Sequence, residues 1–387
     1  MFKKILKMKK YCIQPFNNIR IDVTEGNIAQ YKPCCHHTFD TNFSDVDSYL
    51  KSEELKNLQH HLLTQDELPV GCRICNNVEL YGNKNSTRLL HTYTDPISET
   101  KIEKLEVNPG NICNLKCIMC NTQSSSALSS EYVKLGWAKK HVVTEQDNQV
   151  ILALNQLDSL KCVSIIGGEF FLSKKNLEIL DLLIEKKLEV ELTTNATELT
   201  KTHLEKLKKI HKLGLTVSVD GIGSIYEFIR YPASWNTVSA NIKTLKKILP
   251  QASLKINAVI QPLNIQFINE LIQYANQNRI EIRLNLMSGP GWLGWKILTQ
   301  DESLLIVDHL KRELSLSKMS RFQRESIEGF IRYLTQSKCD LNLRKEFIKK
   351  MSAILTLRKI PDEQIIKVFG ILRELCNEIR NGIVNEF

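Results

Sequence analysis

The middle of the chain contains six short runs, rich in β-branched residues, in which apolar and polar positions alternate. Alternation with a period of two predicts strands, at 103–108, 162–167, 188–194, 214–220, 254–260 and 280–286. Longer stretches between them, such as 235–249 and 265–278, repeat apolar residues at the spacing of an amphipathic helix. Strands that alternate with helices predict a parallel sheet with right-handed crossovers.

The two ends of the chain follow different patterns. Residues 11–88 are rich in cysteine, whereas residues 300–383 contain helix-like segments and no glycine-rich loop. The sequence therefore predicts an α/β fold in three parts, namely a partial (β/α)6 TIM-like barrel over 101–295, a small cysteine-rich α+β module over 1–100 and a helical cap over 296–387. The helices predicted for the cap are 301–316, 320–337, 343–356 and 362–381.

Composition adds an expected location. No apolar run reaches the roughly 20 residues that cross a bilayer, and the basic first ten residues lack the apolar core of a signal peptide. Eleven cysteines suit a reducing compartment, where thiols and iron–sulfur clusters persist. We therefore expect a cytoplasmic protein without a membrane partner.

The formal net charge of +9 has two interpretations. Solvated helix faces account for it, and so does an anionic substrate such as a nucleotide, a sugar phosphate or an acidic peptide. No nucleic-acid-binding motif is present, so we do not expect a nucleic-acid partner.

The most informative motif is Cys113-x-x-x-Cys117-x-x-Cys120, which directly follows the first predicted strand of the barrel. Three thiolates on one short loop can hold three irons of a four-iron cluster and leave the fourth iron open for a cofactor. Zinc is the alternative, but zinc sites usually take four ligands in paired C-x-x-C units. Parallel barrels gather their chemistry at the carboxyl ends of strands, where this loop is expected.

The cysteine spacing resembles that of the radical S-adenosylmethionine (SAM) superfamily, and further motifs follow in order at the predicted strand ends. Gly167-Gly168-Glu169 is similar to the GGE motif, although Phe170 stands where the family usually has proline. Thr194-Asn195-Ala196 is similar to TNG, and Ser218-Val219-Asp220-Gly221 to SxDG. The resemblance implies a [4Fe–4S] cluster on the three cysteines. It also implies SAM contacts from Gly167, Gly168, Glu169, Thr194, Asn195, Ser218, Asp220, Arg230 and Asn264.

The amino-terminal cysteines form a second candidate site. A strand pair that turns near Glu25 would bring Cys12 close to Cys34, and Cys72 and Cys75 would supply two more ligands. Four thiolates suit a four-iron cluster or zinc. The cysteine order resembles the twitch or SPASM-like module of some radical SAM proteins, placed before the barrel, which implies an auxiliary [4Fe–4S] cluster. Cys35 remains an alternative to Cys34.

The resemblance implies an enzyme that reductively cleaves SAM to a 5′-deoxyadenosyl radical, which then takes hydrogen from a substrate carbon. The leading hypothesis for the substrate is a peptide or natural-product intermediate. The alternative is a nucleotide-linked or sugar substrate, including sulfur insertion from the auxiliary cluster. A flavodoxin- or ferredoxin-type electron donor is the implied partner. No residue is assigned as a catalytic acid or base.

Overall fold

The computed structural model describes residues 11–65, 67–80, 86–93, 100–146, 148–287, 289–316 and 319–385. The basic segment at residues 1–10 lies outside them. The strands are β1 Tyr11–Cys12, β2 Asn18–Thr24, β3 Ile28–Lys32, β4 Thr92–Tyr93, β5 Lys104–Asn108, β6 Cys162–Ile165, β7 Glu189–Thr194, β8 Lys212–Ser218, β9 Ser253–Ile260 and β10 Glu281–Leu286.

Helices fill most of the remaining described chain. The first part contains α1 Gln14–Asn17, α2 Val46–Leu50, α3 Glu53–Thr64, α4 Arg73–Leu80 and α5 Thr87–Leu90. The central part contains α6 Ser126–Lys134, α7 Gln149–Gln156, α8 Lys174–Glu185, α9 Lys201–Lys208, α10 Gly223–Ile229, α11 Trp235–Ile248 and α12 Ile268–Gln277. The last part contains α13 Gln300–Leu316, α14 Arg321–Gln336, α15 Leu341–Arg358, α16 Asp362–Phe369 and α17 Arg373–Asn385.

The main sheet has eight strands in the order β10-β9-β8-β7-β6-β5-β2-β3. Strands β5 to β10 pair in parallel, each with the next along the chain. All six strands predicted for the barrel are present, within two residues of their predicted bounds. The predicted α/β fold with a mostly parallel sheet and a helical carboxyl-terminal region is confirmed.

The two faces of this sheet differ in chemistry. One face carries buried aliphatic side chains such as Leu105, Val163 and Leu192, and the helices pack on it. The neighbouring positions Glu106, Ser164 and Glu191 are polar and only partly buried or exposed. Because successive residues of a strand point to opposite faces, the polar residues line the concave interior of an open barrel. We call this interior the lumen.

The amino-terminal hairpin belongs to the same sheet. Strands β2 and β3 pair antiparallel around a turn at Glu25–Asn27, where Gly26 has a φ of 78°. Strand β2 also pairs in parallel with β5. The predicted boundary between 1–100 and 101–295 therefore crosses a continuous sheet, and the division of the chain into domains stays a prediction.

The carboxyl-terminal helices pack against loops at the carboxyl ends of the barrel strands. Gln266, just after β9, donates to the carbonyls of Val368 and Phe369, and Gln364 donates to the carbonyl of Ser224, just after β8. The predicted single helix 362–381 is wrong, since α16 ends and α17 begins anew around Gly370, whose φ is 47°.

In the described part of the chain, no helix combines the length and the apolar character that a membrane span requires.

Candidate functional site

The cysteine loop lies at the carboxyl end of β5, as the sequence predicts. Backbone hydrogen bonds tie it to the end of α10, from Lys116 N to Tyr231 O at 2.7 Å and from Ile118 N to Ile229 O at 2.9 Å. These bonds flank Cys117 and place it opposite Arg230. Cys117 is buried, while Cys113 and Cys120 are partly exposed. The loop therefore holds one thiol deep in the protein and two nearer the open lumen.

The three thiols are poorly suited to remain as isolated thiolates. Burial raises the pKa of Cys117 strongly and that of Cys120 to about 11, and neighbouring thiols add repulsion. Several donors nevertheless point at the sulfurs, namely Leu115 N at 3.4 Å from Cys113 Sγ, Arg230 Nη1 at 3.9 Å from Cys117 Sγ and Asn195 Nδ2 at 4.0 Å from Cys113 Sγ. Iron ions would stabilise the thiolate form of these cysteines, and hydrogen bonds to the sulfurs are typical of iron–sulfur cluster ligands.

The glycine pair after β6 is required by the protein's own packing. Gly168 N donates to Gly110 O at 3.0 Å, and Glu169 N donates to Ile112 O at 2.6 Å. A side chain at Gly168 would overlap Ile112 O, and one at Gly167, whose φ is +129°, would overlap Asn108. In the structure, the segment that comes close is the base of the cysteine loop.

Glu169 connects the second and third strand ends. Its carboxylate is buried and accepts from Thr194 Oγ1 and from Asn195 N, each at 2.7 Å. Burial raises its pKa to about 7, against the lowering effect of these bonds. The same network aims the Asn195 amide at Asn114 Oδ1, at 3.0 Å, and at Cys113. Ala196 holds a φ of 56°, where the resembling motif has glycine.

Arg230 and Asp220 form a buried ion pair, with Nε and Oδ2 2.7 Å apart. Asp220 also accepts from Val259 N at 2.7 Å. Asn264 donates to the carbonyls of Asp220 and Val259 and accepts from Gln261 N. These side chains thus hold the loops after β8 and β9 together, and Arg230 carries their effect to Cys117. As direct SAM contacts they remain predictions.

Ser218 ends β8 on the lumen face, opposite Asn257. Asn285 Nδ2 donates to Asn257 Oδ1 at 2.5 Å, and Lys255 lies 3.7 Å from Glu281. Near its carboxyl end the lumen is therefore lined by amides and a hydroxyl, while the Lys255–Glu281 pair lies nearer its amino end. Such a surface suits a polar ligand with several hydrogen-bonding groups.

The second group of cysteines lies at the opposite end of the barrel. Cys12 precedes β2, and Cys34 follows β3, which runs back toward the start of β2. Strands β2 and β5 are parallel, so both cysteines lie at the amino ends of the barrel strands. The five residues of β5 are joined by four steps of about 3.3 Å, so roughly 13 Å of strand separates the two ends.

Four of these thiols influence one another electrostatically. Burial and repulsion from Cys34, Cys72 and Cys75 raise the pKa of Cys12 to about 12, and burial with repulsion from Cys34 and Cys75 does the same for Cys72. Backbone N–H groups also reach three of the sulfurs. The N–H of Gln14 bonds to Cys12, that of His37 lies 3.4 Å from Cys34 Sγ, and that of Arg88 bonds to Cys75. Four such thiols fit a cluster site.

Cys35 has different surroundings. It is exposed, and its Sγ lies 3.7 Å from Thr87 Oγ1. Its charged neighbours are Glu106 and Arg20 of the lumen face and the adjacent Cys34. Cys34 is among the thiols that raise the pKa values of Cys12, Cys72 and Cys75, and the choice of Cys34 over Cys35 as the fourth ligand stays a prediction.

Among the described residues, no three His, Cys, Asp or Glu side chains surround a position for a single metal ion. This finding concerns sites in which several side chains bind one and the same metal ion. Thiolates of a four-iron cluster bind separate irons and do not converge on one point.

Some supporting residues carried no motif in the sequence. Asn111 is fully buried and pins the cysteine loop through Thr122 O, Val142 O and Thr144 N. Arg20 pairs with Asp22 and with Glu106 across β2 and β5. Asn111 lies in an Asn-Pro-Gly-Asn segment just after a strand, and that turn signal could have identified it. The partner of Arg20 is 86 residues away and gives no local signal.

Comparisons with known proteins agree with the barrel motifs. Residues 107–275 match the family model of the radical SAM superfamily. The chain is 28% identical over 186 residues to a GTP 3′,8-cyclase of Synechocystis sp., and the match covers 47% of this chain and 53% of the cyclase. It is 24% identical over 178 residues to a probable GTP 3′,8-cyclase of Methanocaldococcus jannaschii, and this match covers 45% of this chain and 55% of that protein. The chain spans about half the length of these curated relatives.

A solved structure of anSMEcpe with bound AdoMet superposes with a TM-score of 0.42 at 18% identity, covering 55% of this chain and 60% of that chain. The fold and the cysteine loop described above agree with the match to the radical SAM family model. Residues 107–275 thus match the radical SAM superfamily, and this match agrees with the predicted class of enzyme and with its predicted cofactors, a [4Fe–4S] cluster and SAM.

Proposed function

We propose that this chain binds a [4Fe–4S] cluster through Cys113, Cys117 and Cys120, binds SAM at the fourth iron, and takes hydrogen from a nucleotide-linked substrate in the lumen. The observation that carries the proposal is the convergence of the cysteine loop with Glu169, Asn195 and Arg230 at one end of the barrel. When bound, the cluster and SAM supply the one-electron cleavage of SAM and a 5′-deoxyadenosyl radical.

The residues of this chain supply position and shielding. Glu169 is available for the SAM amino group, and its buried carboxylate would favour an ammonium partner because burial disfavours its isolated charge. Arg230 presents a cation beside Cys117, where Asp220 fixes its direction. The helical cap contacts the carboxyl-end loops and would keep water from a reactive radical.

For the amino-terminal site we propose an auxiliary [4Fe–4S] cluster on Cys12, Cys34, Cys72 and Cys75. Four thiols leave no iron open, which favours electron transfer or substrate positioning over sulfur donation. Glu79, Ser86 and Arg88 support the site from one side, since Glu79 Oε1 accepts from Ser86 Oγ at 2.5 Å and from Arg88 Nε at 3.0 Å. Residues 81–85, just before Ser86, lie outside the described part of the chain.

A nucleotide-linked substrate has better support than the peptide that the sequence first suggested. The two curated relatives are named for a reaction of GTP, and the lumen between the cysteine sites is polar. Lys255 and Arg283 on the lumen face share one carboxylate, Glu281, and the net positive charge of these three side chains would favour an anionic group. A flavodoxin- or ferredoxin-type protein is the proposed electron donor.

The experiment is SAM cleavage by the anaerobically reconstituted protein with dithionite. Nucleoside triphosphates and sugar nucleotides are added one at a time beside a set of unrelated peptides. We expect slow release of 5′-deoxyadenosine from SAM alone and a faster release with one nucleotide class, together with deuterium transfer from the labelled nucleotide. Stimulation by peptides alone would refute the substrate class, and no release under any condition would refute the enzyme itself.

A further inference from the structure

Helix α15 of the cap contains two buried arginines with different targets. The side chain of Arg358, at the carboxyl end of the helix, is 2% exposed and pairs with Glu131 of α6, which is 1% exposed. The side chain of Arg344, near the amino end, is 6% exposed and pairs with Glu302 and Glu378. Only the Arg358 pair, of these two, reaches from the cap to the central barrel.

Arg358 makes a second contact that bears on the cysteine loop. Its Nη2 donates to Lys116 O at 2.6 Å, while its Nε donates to Glu131 Oε1 at 2.9 Å. The guanidinium carbon also lies 4.9 Å from the centre of the Tyr231 ring. One planar group therefore holds the carbonyl that directly precedes Cys117, a carboxylate of α6, and an aromatic ring.

The same residues are held from the other side by the backbone. Lys116 N donates to Tyr231 O at 2.7 Å, so both polar backbone groups of Lys116 are bonded, one to the segment just after α10 and one to the cap. Cys117 then lies between Lys116 and Ile118, whose N–H is also bonded, and its sulfur faces Arg230. The direction of the Cys117 thiol thus depends on an arginine 241 positions later in the chain.

We propose that Arg358 is a positioning residue for the SAM-binding cluster, because it fixes the Cys117 segment of the cysteine loop to the helical cap. The inference rests on the proposed cluster at Cys113, Cys117 and Cys120. A fork of N–H donors is needed to bind the carboxylate and the carbonyl together, and lysine cannot reproduce that geometry. Groups that orient the ligands of a metal site typically change metal affinity by about 10- to 100-fold when replaced.

The test compares Arg358→Lys with the matched variant Arg344→Lys, and uses Glu131→Gln as a second change at the same contact. The full-length reconstituted protein is reduced, and the electron paramagnetic resonance signal that changes on SAM addition identifies the SAM-binding cluster. Loss of that signal to an iron chelator is followed in time, and the thermal midpoint is measured in parallel. Arg344→Lys measures what a buried ion pair of the same helix contributes to stability alone.

We expect Arg358→Lys to lose the SAM-responsive signal about 10- to 100-fold faster than the wild type, with Glu131→Gln intermediate. Arg344→Lys should lower the thermal midpoint without this effect. Equal rates in Arg358→Lys and the wild type, or equal acceleration in Arg344→Lys, would overturn the inference. A wild-type protein without any SAM-responsive signal would instead refute the proposed function, and the inference with it.

Discussion

The two cysteine sites occupy opposite ends of one barrel and are built by different means. At the carboxyl end, three thiols lie on one eight-residue loop, and the side chains of Asn195, just after β7, and Arg230, just after α10, reach two of its sulfurs. At the amino end, four thiols come from three separate segments and gather around one another. At the first site, side chains from other segments lie beside the sulfurs, whereas at the second, backbone N–H groups reach the sulfurs and the thiols raise one another's pKa values. We infer that the first is built to stay open and the second to be closed.

Each site also uses a glycine where a second segment passes close by. Gly168 admits the carbonyl of Ile112 beside the cysteine loop, and Gly71 admits the ring of His37 beside Cys34. The obstacles differ in stiffness, since one is backbone and the other is the end of a side chain. The carboxyl-end site should therefore tolerate local change less well.

The largest expected effect comes from removing the open site. Changing Cys113, Cys117 and Cys120 together to alanine should abolish SAM cleavage, because no thiolate then holds the cluster that SAM binds. Iron should fall from about eight to about four per chain, as measured by iron analysis of reconstituted protein. If all the iron were lost instead, the amino-terminal site would not hold a cluster of its own.

The next effect separates cleavage of SAM from turnover of substrate. Cys34→Ala should damage the auxiliary spectrum and substrate turnover but leave substrate-free SAM cleavage largely intact, because the two sites lie at opposite ends of the barrel. Cys35→Ala is the matched control and should be mild, since the Cys35 thiol faces Thr87. The opposite pattern would move the ligand by one residue, and intact spectra in both variants would indicate an open iron.

A smaller effect is expected at Gly168. Gly168→Ala places a methyl group against Ile112 O, and overpacking of this kind costs about 1–3 kcal/mol in the free energy of unfolding. Gly214→Ala in β8 is the control, because a methyl group there meets only ordinary contacts. Denaturant unfolding compares the two. Equal stability in both variants would mean that the cysteine loop can move away from Gly168.

The smallest effect concerns Glu169 and pH. Its folded-state pKa of about 7 exceeds the ordinary value, so the folded state holds a proton that the unfolded state has released. Its contribution to stability is present below the unfolded-state pKa and is lost as pH rises through about 7. Without SAM, stability should fall by about 1 kcal/mol between about pH 6 and about pH 8 on account of this group. The fall should vanish in Glu169→Gln, and an unchanged pH profile in that variant would assign the effect elsewhere.

Most strands and several helices of the barrel could be predicted from the local spacing of apolar and polar residues. Six strands and the helices α11 and α12 match their predicted positions, because period-two and helical spacing are local consequences of burying one face. The cysteine loop and the polar strand ends could also be predicted from short stretches of sequence, since parallel strands bring their carboxyl ends together. The break at Gly370 was missed because a continuous apolar spacing hides a single residue with positive φ.

By itself, the sequence determined the fold class, the cysteine loop and the order of the polar strand ends, since each depends on residues close together in the chain. Tertiary structure alone decided which side chains hold the loops and which reach the sulfurs. Thr194 and Asp220 turn toward Glu169 and Arg230, and Arg358 reaches the cysteine loop from the last third of the chain. Pairings of this kind join groups that only long-range packing brings together and that leave no periodic trace in the sequence. Cys34 and Cys35 are also chain neighbours, and they differ because successive backbone positions direct their side chains to different surroundings.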